Sequence, residues 1–261
     1  MNRVRPKKHL GQHFLTDERV ATNLAGAISR HRGVDRVLEI GPGTGILTRA
    51  LQKREFSQLK IIEIDVESVA FLQKHHPELK DDIIVGDFLK IHLEPVFDGQ
   101  PFIVAGNFPY NISSQILFRV FENRELIPEV VGMFQKEVAQ RIASGPGSKE
   151  YGILSVLLQV YYDIEYLFTV EPDVFNPPPK VKSGVIKLVR NERENLPFSD
   201  NFMKTVVKTA FNQRRKTLRN SLKGMMTGKE IDISDEILKL RPEQLSTESF
   251  ISLAGSLHDA T

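Results

Sequence analysis

The sequence predicts an α/β fold, a parallel sheet with helices on both faces, followed by a small all-helical domain. Three observations carry this. Short apolar runs alternate with amphipathic stretches through the first two thirds of the chain. A glycine-rich turn follows the first of those runs. After Val189 the composition becomes polar and then helical in period.

The apolar runs are Arg36 to Ile40, Leu59 to Ile64, Ile83 to Val85, Phe102 to Ala105 and Val130 to Phe134, and they read as strands. Amphipathic stretches such as Gly45 to Arg54 and Val66 to His75 lie between them and supply the helices of a βαβ rhythm. Leu154 to Tyr162 and Val181 to Val189 follow without a clear intervening helix. They are expected as an antiparallel pair at one sheet edge. Asn191 to Pro197 is polar and reads as a linker. Beyond it Asn201 to Asn212, Arg214 to Lys223, Ser234 to Lys239 and Ser246 to Leu257 read as helices, with Thr247-Glu248 marking a helix start. The expected domains are 1–190 and 191–261. No internal repeat or low-complexity tract interrupts them.

Composition narrows the function classes. The chain has 261 residues, 41% hydrophobic and 26% charged, which is ordinary for a globular protein. It has no cysteine, so disulfides and thiolate metal sites are excluded. His9 with His13, and His75 with His76, form pairs without a convincing third ligand, so no metal site is expected. No apolar run approaches the roughly 18–20 residues that span a bilayer, and the basic N-terminus lacks a signal-peptide core. A cytoplasmic protein without a membrane partner is expected.

The net charge is +2, but it is unevenly placed. Arg3, Arg5, Lys7 and Lys8 precede the first acid, Asp17. Lys204, Lys208, Arg214, Arg215, Lys216, Arg219 and Lys223 form a second block with no acid between them. Two such patches suggest a polyanion footprint; either one alone also fits a solvated face.

Gly41, Gly43 and Gly45 follow a strand and open a helix, letting the backbone turn tightly and a ligand approach it. The dinucleotide fingerprint would need glycine at position 46, where this chain has Ile46. Glu63 and Asp65 close the next strand on one face, and either could reach ribose hydroxyls. An acid at this spacing fits NAD enzymes as well. Asp87 ends the following strand and could accept from an adenine amino group. Singly, each acid also fits a solvated strand end or a helix cap. Together they outline a nucleoside pocket along the carboxyl edge of a sheet.

The next strand ends in Asn107-Phe108-Pro109-Tyr110. In a purely structural reading this is a turn with a core tyrosine. Beside a nucleoside pocket it is equipment for holding a flat base. The Asn107 side-chain oxygen and a main-chain carbonyl, that of Phe108, can each accept one N–H of an amino group and aim its lone pair. Pro109 stiffens the backbone. Tyr110 can stack on one base face and Phe175 can close the other. No general base is assigned.

These residues resemble the S-adenosylmethionine-dependent N6-adenine methyltransferases, and more closely the small-subunit (16S) ribosomal RNA adenine dimethyltransferases. The resemblance spans nearly the whole chain. It is carried by Lys8 to Leu15, Glu39 to Gly43, Glu63 to Asp65, Gly86-Asp87, Asn107 to Ser113, Phe175 to Val181 and Ala210 to Thr217. It implies a Rossmann-like class I methyltransferase sheet with a helical C-terminal domain that binds RNA, and S-adenosyl-L-methionine as cofactor. It implies that Gln12, His13, Leu15, Gly41, Glu63, Asp87 and Asn107 hold the cofactor. Asn107, Phe108, Pro109, Tyr110 and Phe175 would handle the target base, and Arg214, Arg215, Lys216 and Arg219 the RNA phosphates. The implied reaction is dimethylation at N6 of two adjacent adenosines in a loop near the 3' end of small-subunit rRNA, by a monomer acting on a 30S pre-ribosomal particle.

Two positions depart from the family's pattern. His13 stands where asparagine is usual, and Phe108 where leucine is usual. The first matters to cofactor affinity only if the contact is through the side chain. The rival readings are an adenine methyltransferase for large-subunit rRNA or DNA, and an assembly factor with little turnover.

Overall fold

The structure, a computed structural model, describes residues 4–228 and 230–260; Arg3 of the N-terminal basic patch lies outside them. The strands are Phe14–Leu15 (β1), Arg36–Ile40 (β2), Gln58–Glu63 (β3), Ile83–Val85 (β4), Ile103–Asn107 (β5), Glu129–Gln135 (β6), Tyr162–Val170 (β7), Phe175–Asn176 (β8) and Ser183–Arg190 (β9). The helices are Glu18–Gly26 (α1), Ile46–Gln52 (α2), Val66–His75 (α3), Ser113–Glu122 (α4), Lys136–Ala143 (α5), Ile153–Tyr161 (α6), Asp200–Asn212 (α7), Leu218–Ser221 (α8), Lys223–Met226 (α9), Asp235–Lys239 (α10) and Thr247–Asp259 (α11). Two compact units result: Met1–Ala139 with Ile164–Arg190, and Gln140–Asp163 with Asn191–Thr261. The second unit thus takes in a segment that the sequence assigns to the first domain.

The first unit is built on a seven-stranded sheet in the order β4-β3-β2-β5-β6-β9-β7. The pairs β2–β3, β3–β4, β2–β5 and β5–β6 are parallel, and β6–β9 is antiparallel. The near-continuous apolar runs of β2, β5 and β6 follow from burial on both faces: Val37, Leu38, Ile103, Val104, Val130 and Val131 are fully buried. Each contributes about 1.5–3 kcal/mol by leaving water. The chain runs outward from β2 through β3 to β4, then returns to β5 on the other flank of β2. That reversal opens a crevice at the carboxyl ends of β2 and β5. β1 and β8 form a separate antiparallel pair, with Leu15 opposite Phe175.

Helix starts follow local chemistry. The Asp17 carboxylate accepts from the Arg19 and Val20 amides, capping α1. Asp65 caps α3, Ser199 α7, Ser234 α10 and Ser246 α11.

Three expectations need correction. Leu154 to Tyr162 is a helix, α6, rather than a strand. Leu154, Val156, Leu157, Leu158, Val160 and Tyr161 are all buried, and a run that is apolar on every side carries no period to separate helix from strand. Ser183–Arg190 is a strand, but it lies inside the sheet beside β6, and β7 takes the edge. Arg214 to Lys223 is not one helix. Residues 213–216 form a turn after α7, and the chain resumes as the short α8 and α9. In the second unit α6 packs with α7 and α11. No helix among the described residues is long and apolar enough to cross a membrane.

Candidate active site

The cleft at the carboxyl ends of β2, β3, β4 and β5 has an empty volume of about 1120 Å3, part of it open to solvent. Its floor is the turn from β2 into α2. Gly41, Gly43 and Gly45 there have φ of 67°, 57° and 79°, a region that disfavours side chains. Space is short as well: a Cβ on Gly43 would meet the Phe14 ring at 2.7 Å, and one on Gly45 would meet His76 Nε2 at 2.6 Å. The G-x-G-x-G spacing therefore answers to Phe14 and His76 packed against the turn.

Four acids lie at or beside this turn, and the structure separates them. Glu63, at the end of β3, is buried and lines the cleft. Its carboxylate accepts from the amides of Ile64 and Asp65, each at 2.9 Å, and of Gly43 at 3.2 Å. Burial raises its pKa, against the pull of those amides. Asp87 lines the cleft, accepts from the Leu89 amide at 2.9 Å and lies 3.7 Å from Lys90 Nζ.

Asp65 is different. Although burial alone would raise its pKa, hydrogen bonds from Lys7 and Gln12 hold the carboxyl below its usual value. It also accepts from Ser68 Oγ and the Glu67 amide. Asp65 is a structural tie, and of the two acids that close β3 it is Glu63 that lines the cleft. Glu39, within β2, also lines the cleft; the sequence reading named it as part of the turn motif without giving it a role. Its carboxyl is buried, accepts from Thr48 Oγ1 at 2.6 Å, and has its pKa raised to about 8 by burial. The available signal was an acid inside the apolar run Val37-Leu38-Glu39-Ile40.

The N-terminal segment forms one wall. Gln12, His13 and Leu15 all line the cleft. The Gln12 side chain is committed, accepting from the Lys7 amide at 2.8 Å and donating to Asp65 at 3.1 Å. His13 Nδ1 donates to the Pro177 carbonyl at 2.7 Å, and the His13 carbonyl accepts from Asn107 Nδ2 at 2.9 Å.

Asn107, Phe108, Pro109 and Tyr110 complete the wall at the end of β5. Asn107 Oδ1 makes no hydrogen bond among the described residues. The Phe108 ring is buried edge-on against Phe134, with centroids 5.0 Å apart. It fits because Gly106 and Gly132 lack side chains: a Cβ on Gly132 would lie 2.2 Å from Phe108 Cε2. Tyr110 stacks on His13 with centroids 5.5 Å apart, and its hydroxyl shares a 2.6 Å hydrogen bond with Ser183 Oγ. Phe175 is not brought to this group. It is 4% exposed within the core cluster with Leu15, Ala21 and Val185, so its expected place over a base face is corrected to a core ring.

The four expected RNA cations also divide. Arg214 donates to the Ser148 and Lys149 carbonyls, and Arg219 pairs with Asp235 at 2.5 Å. Arg215 and Lys216 are exposed.

The strand order, with its cleft at the reversal point, defines a Rossmann-like α/β fold. A Plasmodium falciparum dimethyladenosine transferase shares the fold at a TM-score of 0.79 and 24% identity, over 95% of this chain and 98% of that one. The 23S rRNA methyltransferase ErmE does so at 0.66 and 24%, over 93% and 99%. More particularly, the family model for ribosomal RNA adenine dimethylase matches residues 3–258, and the chain belongs to that family. It is 54% identical to a Bacteroides thetaiotaomicron protein over 261 residues, covering 100% of this chain and 97% of the other. It is 56% identical to a Flavobacterium johnsoniae protein over 257 residues, covering 98% and 97%. Both relatives bear the name ribosomal RNA small subunit methyltransferase A. The chain is an enzyme that dimethylates adenine in ribosomal RNA with S-adenosylmethionine as methyl donor.

Proposed function

We propose that this enzyme acts on small-subunit (16S) rRNA, in a 30S assembly particle in the cytoplasm, as a monomer. Its targets are the N6 atoms of two adjacent adenosines in a loop near the 3' end. The observation carrying the substrate is the end-to-end match, at 54% and 56% identity, to relatives named for the small subunit.

The cleft residues fit the methyl donor by their own chemistry. Glu63 is a buried acceptor pre-oriented by three amides, suited to a ribose diol. Asp87 is an acceptor at the next strand end, suited to an adenine amino group. Gly41 and its neighbours allow close main-chain approach. When bound, S-adenosylmethionine supplies a methyl group on a positively charged sulfur.

The rest of the chemistry falls to the chain. An adenine amino nitrogen is a poor nucleophile because its lone pair is spread into the ring. Asn107 Oδ1 and the Phe108 carbonyl accept its two N–H groups and turn the lone pair out of the ring plane. Burial of the Phe108 ring and the fixed φ of Pro109 hold that carbonyl in place. Tyr110 supplies a stacking face. A nitrogen already methylated once keeps one N–H for one acceptor, which allows the second transfer. The proton leaves to water. Catalysis is then mainly positioning, which can supply on the order of 7–11 kcal/mol. A loop target lowers the cost of unstacking the base. On the RNA side, Arg215 and Lys216 are the phosphate contacts, because Arg214 and Arg219 have internal partners.

The test offers labelled S-adenosylmethionine with under-methylated 30S particles, naked small-subunit rRNA, large-subunit rRNA and DNA. Label is expected on two adjacent adenosines of small-subunit rRNA. Label confined to large-subunit rRNA or DNA would sink the substrate assignment.

A further inference from the structure

In the second unit, the segment Ser144-Gly145-Pro146-Gly147-Ser148-Lys149-Glu150 joins α5 to α6. It is largely exposed, with Gly145, Pro146, Gly147, Lys149 and Glu150 open to solvent. Such a loop of small residues should be free to move, yet it is tied at several points. The Gly147 amide, at φ 84°, donates to the Glu243 carbonyl at 2.7 Å. The Arg214 guanidinium donates to the Lys149 carbonyl at 2.7 Å and the Ser148 carbonyl at 3.4 Å. Arg214 Nε also lies 3.8 Å from the Glu243 carboxylate. Ser148 Oγ donates to the Glu150 carboxylate at 2.7 Å and accepts from the Glu150 amide at 3.1 Å, holding the one acid of the loop to a loop hydroxyl.

Arg214 is followed directly by the exposed Arg215 and Lys216. The loop carbonyls therefore sit one arginine side chain away from the cationic turn. A guanidinium spent on two carbonyls and a carboxylate is a poor phosphate ligand. It is well used as a brace that holds the segment of a third cation, Lys149, to the turn that carries the first two.

Resting on the RNA reading above, we infer that Lys149 and the turn residues Arg215 and Lys216 form one phosphate-binding surface for the rRNA backbone, and that Arg214 is its positioning residue rather than a contact. Exposed ammonium and guanidinium groups on two tethered segments suit a polyanion of irregular path. No base-reading group is required of them.

The salt dependence of binding separates a contact from a brace. Each lost phosphate contact lowers the slope of log K against log salt by about 0.7–0.9. Binding of naked small-subunit rRNA across a salt series should show that decrement for Arg215→Ala and again for Lys149→Ala, and the two decrements should add. Arg214→Ala should show a decrement of similar size that does not add to that of Lys149→Ala, because both remove the same contact. Lys149 is exposed, so Lys149→Ala tests the surface even if Arg214→Ala folds poorly. An unchanged slope in Lys149→Ala overturns the inference, as does full additivity between Arg214→Ala and Lys149→Ala. An unchanged slope in Arg215→Ala overturns the RNA reading beneath it, so the two failures are told apart.

Discussion

Asn107 Nδ2 donates to the His13 carbonyl at 2.9 Å, and that bond sets the direction of the whole carboxamide. With the nitrogen committed, the oxygen is left as an acceptor in the cleft wall. Asn107→Ala should therefore lower single-turnover transfer to 30S particles by on the order of a hundredfold or more. Calorimetry with S-adenosylhomocysteine should show a much smaller change in affinity. Asn107→Asp keeps an acceptor but turns an oxygen against the His13 carbonyl, and it should lose most of the rate too. Near-normal turnover in the alanine variant would remove Asn107 from this role.

At His13 the backbone and the side chain have different partners. Its backbone carbonyl meets Asn107, while its imidazole turns to Pro177 and Tyr110.

Tyr110 has a ring and a hydroxyl with separable uses. The hydroxyl bonds Ser183 Oγ, worth about 1 kcal/mol. Tyr110→Phe should cost no more than about tenfold in kcat/KM. Tyr110→Ala also removes the stacking face, worth roughly 1–3 kcal/mol per base, and should cost clearly more. Steady-state rates on 30S particles that are equal for the two variants would exclude stacking on this ring.

Legibility tracked whether a residue's partners were near in sequence or implied by period. The β2–β5 half-sheet was readable because buried parallel strands are apolar runs closed by glycine or acid. The end of β5 was readable because Asn107-Phe108-Pro109-Tyr110 is chemically unusual at a strand end. The fate of Asp65 was not, because Lys7 and Gln12 reach it from a distant segment. Phe175 was hidden for a similar reason: pairing of β8 with β1 draws it into the core. For Arg214 to Lys223, charge was legible but the break at 213–216 was not, since nothing in that stretch is a strong helix breaker.

The turn glycines can be tested against each other. Gly43 combines a φ of 57° with the close Phe14 ring, whereas Gly99 has a φ of 75° and nothing within 4 Å of a built Cβ. Gly99→Ala should cost only backbone strain, on the order of 1–3 kcal/mol. Gly43→Ala should cost more in urea melts and should weaken S-adenosylmethionine binding, which Gly99→Ala should not. Equal stability losses would show that the Phe14 approach has no energetic consequence.

Asp65 ties the N-terminal segment to the start of α3 through Lys7 and Gln12. Asp65→Asn keeps a good helix cap and removes the ion pair. Because Lys7 reaches solvent, its pairing with Asp65 is screened and global stability should change little. Local order should change more: trypsin cleavage after Lys7 or Lys8 should accelerate several-fold relative to the parent. Unaltered cleavage would mean that contacts such as Asn111 to the His9 carbonyl suffice to hold the segment.

Glu39 should make stability fall as pH rises through neutrality. In the folded chain burial holds its proton up to about pH 8, whereas the unfolded side chain releases it near its ordinary value of 4.5. Below pH 4.5 the group is protonated in both states, and its contribution is fully present. Between pH 4.5 and about 8 unfolding releases a proton, so stability declines with pH, by roughly 4–5 kcal/mol in total if the full shift is realised. Above that range Glu39 ionises in the folded chain too, close to Glu63, and the decline levels off. Glu63 also has a raised pKa and contributes with the same sign, so the informative quantity is the difference between parent and Glu39→Gln. The glutamine can still accept from Thr48 Oγ1 and has no charge to bury. Urea melts from pH 5 to 9 should show the variant gaining on the parent steadily up to about pH 8. A stability difference that does not vary with pH would mean that Glu39 is already ionised in the folded chain at neutral pH.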